Sequence, residues 1–125
     1  NEISEVFSSL KNFFPEKRLV VIFQPHRYSR TRDLFNEFVS SLSKVDALIL
    51  LNIYSANEAP INTISSSTLA DSIRRRSSID PIVANDIAEI IEIIPNIILE
   101  NDLILTLGAG DVNKIPHQLK EHFCK

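Results

Sequence analysis

The sequence has very little of what builds disulfides, flexible turns or membrane spans. Its single cysteine, Cys124, allows no internal disulfide, which is compatible with a cytoplasmic location. No apolar run approaches the roughly 18 residues of a membrane helix, so we expect no membrane contact. The first residues carry Glu2 and Glu5 without a basic start, unlike a signal peptide. Because the chain lacks an initiator methionine and begins in an amphipathic pattern, we expect an excised domain.

Composition indicates one globular domain with an uneven charge. The 125 residues are 44% hydrophobic and 23% charged, close to globular averages, which argues against wholesale disorder. The net charge of −3 argues against nucleic-acid binding by bulk charge. Five cations nevertheless occur with no carboxylate between them: Lys17, Arg18, Arg27, Arg30 and Arg32. A local basic rim on an acidic protein suits a small anion better than a long polyanion.

Apolar patterns along the chain alternate between strand and helix. The predicted strands are Leu19–Gln24, Ala47–Ile53, Ile82–Ala84 and Leu103–Leu107. The predicted helices are Ile3–Phe14, Ser29–Leu42 with Ser29 or Thr31 as N-cap, Ser66–Arg76 capped by a serine, Asp86–Leu99 kinked or split at Pro95, and approximately Val112–Phe123. This alternation predicts a single α/β domain over residues 1–125, Rossmann-like and three-layered, with a mostly parallel sheet flanked by helices. The strand order stays open.

The most informative stretch follows the first strand, from His26 to Asp33. Ligands of open α/β sheets bind at the carboxyl ends of the strands, and here a predicted helix also begins. Arginine forks at this place suit phosphate or carboxylate oxygens. Tyr28 would pack on a base or donate to an oxygen, and Asp33 would accept from ribose hydroxyls. The alternative is a solvated helix start, which the pattern favours for Arg32 but not for His26, Arg27 and Tyr28.

A second polar loop, Tyr54–Ile61, follows the second predicted strand. It falls on the same rim as the first loop if the sheet is parallel. Glu58 in this loop would then bind an amine or a cation. The alternative is an ordinary connection between strand and helix, which the spacing alone favours.

A third loop holds both glycines of the chain, in the run Gly108, Ala109, Gly110 and Asp111. Glycine permits close approach of the backbone to a ligand. The run lacks the third glycine of the GxGxxG dinucleotide fingerprint. A ligand-binding turn and a tight turn with Asp111 as N-cap stay equally open.

Several catalytic motifs are absent from the sequence. It contains no GxxxxGK[ST] phosphate loop, no GxSxG elbow and no HExxH. His117, His122 and Cys124 are spaced poorly for one helical face, so we expect no metal site. A signalling receiver domain would need clustered acids at the end of the first strand, where this chain has cations.

Three segments together resemble the C-terminal domain of the Mur ligases of peptidoglycan synthesis. They are Phe-Gln-Pro-His-Arg-Tyr-Ser-Arg-Thr at 23–31, the loop Tyr54–Ile61, and Asp-Leu-Ile-Leu-Thr-Leu-Gly-Ala-Gly-Asp at 102–111. The resemblance covers essentially the whole chain in order. The His-Arg-Tyr of the first segment is specific, and is similar to that of the members that join L-alanine to UDP-N-acetylmuramate. Asn57 stands where a glycine is common, and asparagine tolerates the left-handed backbone better than most residues.

The resemblance implies a three-domain, ATP-dependent, amide-forming ligase located in the cytoplasm. An N-terminal domain would bind the UDP-sugar, and a central domain would hold the phosphate loop and most contacts to ATP and Mg²⁺. ATP would phosphorylate the muramoyl carboxylate, and the amine of L-alanine would attack the acyl phosphate. The C-terminal domain would close over ATP and position the amino acid. Alone it is expected to fold but neither to hydrolyse ATP nor to ligate.

The resemblance also implies roles for single residues. His26, Arg27 and Arg30 would face the reacting phosphate and carboxylates as catalytic residues. Tyr28 and Asp33 would bind the nucleotide. Tyr54, Glu58, Gly108, Ala109, Gly110 and Asp111 would form the amino-acid and sugar-peptide side. The competing hypothesis is a stand-alone Rossmann-like module that binds nucleotide or phosphate by itself.

Overall fold

The computed structural model describes residues 2–108 and shows an α/β domain with a parallel sheet. The elements are α1 (Glu2–Phe13), β1 (Leu19–Gln24), α2 (Tyr28–Asp33), α3 (Phe35–Leu42), β2 (Ala47–Leu51), α4 (Ser66–Arg76), β3 (Ile82–Ala84), α5 (Ile87–Ile93), a 3₁₀ turn (Ile94–Asn96) and β4 (Leu103–Gly108). The four strands form one sheet in the order β3-β2-β1-β4, and every neighbouring pair is parallel. The predicted fold class is therefore confirmed. The predicted helix Val112–Phe123 lies outside the described residues.

Helices cover both faces of the sheet, which explains the unbroken apolar runs of its strands. No residue of β1 is more than 9% exposed. Val21 and Phe23 belong to a core cluster that includes side chains of α1, α3 and α4. Ile22 belongs to the opposite cluster, together with Ile49 of β2 and Ile90 of α5. Full burial of such a side chain contributes roughly 1.5–3 kcal/mol, so the core is what fixes the strand ends in space.

The single helix predicted over Ser29–Leu42 is wrong, because the chain forms two helices there. Leu34 separates α2 from α3 with backbone angles of φ −106° and ψ 14°. Hydrogen bonds nevertheless cross the break, from Leu34 N to Arg30 O at 3.0 Å and from Phe38 N to Leu34 O at 2.9 Å. Apolar side chains on both sides of the break pack on the same core. Their spacing in the sequence is therefore that of a single helix and does not predict the break at Leu34.

The predicted N-caps of this segment are also wrong. The helix α2 begins at Tyr28, and the residue before it, Arg27, makes no side-chain capping bond. Thr31 lies inside the helix, where its hydroxyl donates to the carbonyl oxygen of Arg27 at 2.7 Å. Ser29 also lies inside the helix, and its partner comes from the second loop rather than from α2 itself.

Two other helix predictions are confirmed. The helix α4 is capped by Ser65, whose hydroxyl accepts from the backbone N–H of Thr68 at 3.1 Å. The predicted break near Pro95 is present, since α5 ends at Ile93 and a 3₁₀ turn follows. Proline cannot donate the backbone hydrogen bond that a longer α-helix would need there.

The cations Lys17 and Arg18 do not belong to the predicted basic rim. Both precede β1, so they lie at the opposite edge of the sheet from His26. Arg18 donates to both carboxylate oxygens of Asp102, at 3.1 and 3.0 Å, and Lys17 lies over the ring of Phe14 at 5.4 Å. The bonds between Arg18 and Asp102 tie the start of β1 to the start of β4.

Replacing Asp102 by asparagine should lower the free energy of unfolding by about 2 kcal/mol at pH 7, because a hydrogen-bonded charge is lost next to Arg18. The Asp102 side chain is only 4% exposed. The bonds from Arg18 hold the pKa of Asp102 below its ordinary value. The contribution of the Asp102 carboxylate to the free energy of unfolding is therefore complete above about pH 3.9, the pKa of this group in the unfolded chain. It is lost as the pH falls through the lower pKa that the group has in the folded chain.

Urea unfolding of parent and variant between pH 7 and pH 3 tests this prediction, and the difference between them should narrow as the pH falls. The matched control is Asp80→Asn, whose carboxylate bonds Arg74 but is 84% exposed. The control should change the unfolding free energy by no more than about 0.5 kcal/mol. An equal loss in both variants would contradict the role given to burial.

Candidate functional site

The parallel sheet brings the ends of three strands together at one edge. Gln24, the last residue of β1, pairs with Gly108 at the end of β4. On the other side of β1, His26 forms an isolated parallel bridge with Tyr54, which follows β2. The predicted meeting of the first and second loops is therefore confirmed. Gly108 joins them at this edge, whereas Ala109, Gly110 and Asp111 lie outside the described residues.

Backbone hydrogen bonds continue past the end of β1 and join the first two loops. The backbone N–H of Arg27 donates to the carbonyl of Tyr54 at 2.8 Å, and the N–H of Tyr54 donates to the carbonyl of Pro25 at 2.9 Å. The rings of His26 and Tyr54 stack with centroids 5.7 Å apart and planes 16° apart. The position of His26 is therefore set by the second loop as well as by its own strand.

Arg27 adopts a backbone conformation that few side-chain-bearing residues take. Its φ is 69° and its ψ is 144°. Such a conformation costs on the order of 1–3 kcal/mol and persists where the surroundings impose it, commonly at functional sites. Here the surroundings act at both ends of the residue, since Tyr54 accepts from its N–H and Thr31 donates to its carbonyl through N–H and hydroxyl. The sequence carries no sign of this strain.

Glu58 is placed on the start of α2 and not on an open surface. One carboxylate oxygen accepts from the backbone N–H of Ser29 at 3.0 Å, and the other accepts from the Ser29 hydroxyl at 2.5 Å. The hydroxyl and then the N–H of Ser29 hold the pKa of Glu58 below its ordinary value. The loop reaches this position through Asn57, whose φ of 70° fits the tolerance for left-handed backbone expected of asparagine.

The arginines of the first loop divide into paired and unpaired groups. Arg32 bonds the exposed carboxylate of Asp33 at 3.1 Å. Within residues 2–108, by contrast, the guanidinium groups of Arg27 and Arg30 have neither a hydrogen-bond nor an ion-pair partner, and both residues are exposed. The charge of Arg27 does act at longer range on the carboxylate of Glu58, whose pKa it helps to lower. Exposed, unpaired guanidinium groups are free to bind an anion with their full fork of donors.

Two adjoining depressions lie beside these cations. A cavity of about 270 Å³ has an apolar side formed by Phe23, Phe38 and Leu107, and a polar side to which His26 and Arg30 contribute. A wider groove of about 550 Å³ is lined by His26, Arg27, Ser29, Arg30, Asp33 and Leu34. Since His26 and Arg30 line both, a ligand in either depression would meet them.

The described part of the chain has neither a cluster of metal-ligating side chains nor a helix able to span a membrane. Residues 2–108 contain no group of three or more histidine, cysteine or acidic side chains able to hold a metal ion. Among the helices of that range, none combines the length and the apolar character required to cross a bilayer.

A parallel α/β sheet with exposed cations at its carboxyl edge is suited to ligands that bear phosphate or carboxylate groups. The family is more specific. Residues 1–110 match the family described as Mur ligase, glutamate ligase domain, and the chain belongs to that family. This confirms the resemblance seen in the sequence.

Similar proteins agree with this membership. The chain is 58% identical over 122 residues to a UDP-N-acetylmuramate–L-alanine ligase of Ruthia magnifica subsp. Calyptogena magnifica, covering 98% of the chain and 26% of that protein. It is 50% identical over 121 residues to the ligase of the same name from Methylococcus capsulatus, covering 97% of the chain and 26% of that protein. The chain thus spans about a quarter of the length of these curated relatives.

A solved structure has the same fold. It is a crystal structure of a domain from Haemophilus ducreyi, described as part of a UDP-N-acetylmuramate:L-alanyl-gamma-D-glutamyl-medo-diaminopimelate ligase. The TM-score is 0.66 at 18% sequence identity, over 97% of this chain and 80% of that one. At this identity the similarity supports the fold alone.

Proposed function

We propose that this chain is the C-terminal domain of an ATP-dependent ligase that joins L-alanine to UDP-N-acetylmuramate in peptidoglycan synthesis. One observation carries the proposal, namely that the unpaired cations Arg27 and Arg30 lie at the carboxyl edge of a Mur ligase domain. The high identity to ligases of that name, across nearly the whole chain, supports the choice of substrates. The reaction belongs to the full-length protein, which would act in the cytoplasm, and the domain alone would be inactive.

The reaction that we propose brings the negatively charged phosphates of ATP to a carboxylate, and negative charge develops on the reacting oxygens. The γ-phosphoryl group of ATP moves to a carboxylate oxygen of UDP-N-acetylmuramate with release of ADP. The amine of L-alanine then forms the amide C–N bond as the bond between the acyl carbon and the phosphate oxygen breaks, and the departing phosphate takes up the proton that the amine loses. Protein groups assist such steps mainly by positioning the reactants and by balancing charge in a site with little water. Exposed cations next to a cavity are suited to both tasks.

Within this scheme His26, Arg27 and Arg30 are the residues that face the transferred phosphate and the carboxylates. The guanidinium charges of Arg27 and Arg30 would offset the charge that develops between phosphate and carboxylate oxygens. Tyr28 and Asp33 would lie on the nucleotide side. Tyr54 and the run Gly108–Asp111 would border the amino-acid and sugar-peptide side. For Glu58 the contacts favour a different role, because both of its carboxylate oxygens accept hydrogen bonds from Ser29.

The remaining parts of the active site would come from the rest of the protein. The central domain would supply the phosphate loop, because no GxxxxGK[ST] occurs in this sequence. It would also hold most of the contacts to ATP and to Mg²⁺, which neutralises phosphate charge when bound. The partners of this domain are therefore the ligase's own central and N-terminal domains, ATP and the two substrates. Closure of the domain over ATP would bring the cations to the reacting groups.

Replacing Asp33 by alanine in the full-length ligase should raise the KM for ATP about tenfold, with a smaller change in kcat. A hydrogen bond to a charged acceptor contributes about 1.5–3 kcal/mol, and this one would be made to the ribose in ground and transition states alike. Steady-state kinetics at varied ATP concentration measure this KM. The control is Asp71→Ala, an exposed carboxylate on α4 that bonds only Arg74 among the described residues. An unchanged KM in Asp33→Ala would remove Asp33 from the nucleotide site.

A further inference from the structure

The carboxylate of Glu58 holds the start of the helix that carries the unpaired cations. We propose that Glu58 is a positioning residue, which acts through Ser29 to fix the backbone of Arg27 and Arg30 and does not contact a substrate. This inference rests on the proposed function. It differs from the role that the sequence predicts for Glu58, in which the carboxylate binds an amine or a cation.

The helix α2 lacks the means to hold its own N-terminus. It has six residues, no acidic side chain in its first turn and no capping bond from Arg27. The first N–H groups of a helix need acceptors, and a capping side chain is their usual partner. Isolated helices of this length are unstable in water, so α2 depends on contacts from elsewhere. Among the described residues, Glu58 supplies the acceptor from the second loop, at 3.0 Å from the Ser29 nitrogen.

Both oxygens of Glu58 are already engaged. One accepts from the Ser29 backbone and the other accepts from its hydroxyl, at 2.5 Å. Binding of a substrate amine by this carboxylate would compete with both bonds. The bond from the Ser29 hydroxyl is also the first cause that lowers the pKa of Glu58, which is consistent with the same contact.

The contact reaches the cations through the backbone. Ser29 lies between Arg27 and Arg30 in sequence, so fixing Ser29 fixes the peptide on both sides. Arg27 is held in its unusual conformation from the same loop, through the carbonyl of Tyr54. Without Glu58, the bonds to Tyr54 and from Thr31 would be left to oppose relaxation of Arg27 toward an ordinary φ. A displacement of about 1 Å in a positioned group can cost on the order of 100-fold in rate.

Conservative and disruptive variants of Glu58 separate the two roles in the full-length ligase. Glutamine can keep both bonds, because its Oε1 accepts from the Ser29 N–H while its Nε2 donates to the Ser29 hydroxyl oxygen. We expect Glu58→Gln to retain at least about a third of the parent kcat, whereas Glu58→Ala loses at least about tenfold. Ser29→Ala should fall between them, and Ser29→Ala added to Glu58→Ala should cause little further loss.

Hydrogen exchange of the same full-length proteins, followed by mass spectrometry, gives a readout that needs no catalysis. Amides of residues 28–33 should exchange faster in Glu58→Ala than in the parent, and Glu58→Gln should restore most of the protection. If the parent failed to ligate L-alanine, the proposed function would fall, and the exchange comparison would still decide the positioning role.

Two results would overturn the inference. One is a KM for L-alanine that rises equally in Glu58→Gln and Glu58→Ala, because a direct contact needs the charge that glutamine lacks. The other is unchanged exchange of residues 28–33 in Glu58→Ala. If Glu58→Ala did not fold, the decision would rest on Glu58→Gln and Ser29→Ala. Equal losses of kcat in these two variants, without faster exchange of residues 28–33, would then overturn the positioning role of Glu58.

Discussion

Replacing Arg30 by alanine in the full-length ligase is expected to lower kcat/KM by about 10²–10³-fold, similar to the loss of one group that stabilises transition-state charge. Arg30 lines both the 270 Å³ cavity and the wider groove. Its guanidinium group has no partner within residues 2–108, so its full charge is available to phosphate or carboxylate oxygens. The loss should fall mainly on kcat, because the charge it balances grows as the reaction proceeds.

The matched control for this prediction is Arg32→Ala, a change of the same side chain on the same helix. Arg32 is paired with Asp33 and its side chain is 55% exposed. We expect it to retain at least about half of the parent kcat/KM, since exposed ion pairs contribute little. Arg30→Lys should restore part of the activity, because lysine keeps the charge but loses the two-pronged fork. Equal losses in Arg30→Ala and Arg32→Ala would indicate a general effect of charge and contradict the site.

Replacing Gly108 by alanine is expected to lower the free energy of unfolding of the 125-residue chain by at least about 3 kcal/mol. A Cβ at this position would lie 2.2 Å from the carbonyl oxygen of Gln24, and φ is 125°. Both colliding groups belong to the paired backbones of β1 and β4, so neither can rotate away. Relief would require the two strands to separate at the edge that carries the site. Urea unfolding measures the loss.

A second variant separates backbone strain from the collision. Asn101 also has a positive φ, of 68°, but it lies in an exposed turn. Asn101→Ala should therefore lose only about 1 kcal/mol, the cost of a left-handed backbone for a residue that resists it. The excess loss in Gly108→Ala would then measure the contact with Gln24. Equal losses in the two variants would contradict the close approach of these strands.

The features that could be predicted from the sequence are those that depend on local pattern. The apolar run of β1 predicts a strand buried on both faces, and its abrupt end at Pro25 predicts where the rim begins. Parallel pairing then places Tyr54 beside His26, because parallel strands end at the same edge of the sheet. Pro95 predicts the end of α5 in the same local way.

The features that could not be predicted depend on contacts between distant residues. Ser29 and Glu58 are 29 positions apart in the sequence. Taken alone, Ser29 is typical of a helix N-cap and Glu58 is typical of an ordinary loop. The φ of Arg27 follows from its bonds to the second loop, which no local propensity reports. Distance along the sequence groups Lys17 and Arg18 with the rim, whereas the strand between them separates them from it. At about 3.3 Å per residue, the six-residue strand between them and Pro25 places them roughly 20 Å away.

In the proposed function, the cations after β1 form one part of an ATP-dependent site that another domain completes. Hydrogen exchange of residues 26–33, in the full-length protein and in the 125-residue chain, is the decisive test. Each protein is measured with and without UDP-N-acetylmuramate, L-alanine and a non-hydrolysable ATP analogue. We expect the ligands to slow exchange of this segment in the full-length protein and to leave it unchanged in the chain alone. No slowing in the full-length protein, or equal slowing in both proteins, would contradict a site shared between domains.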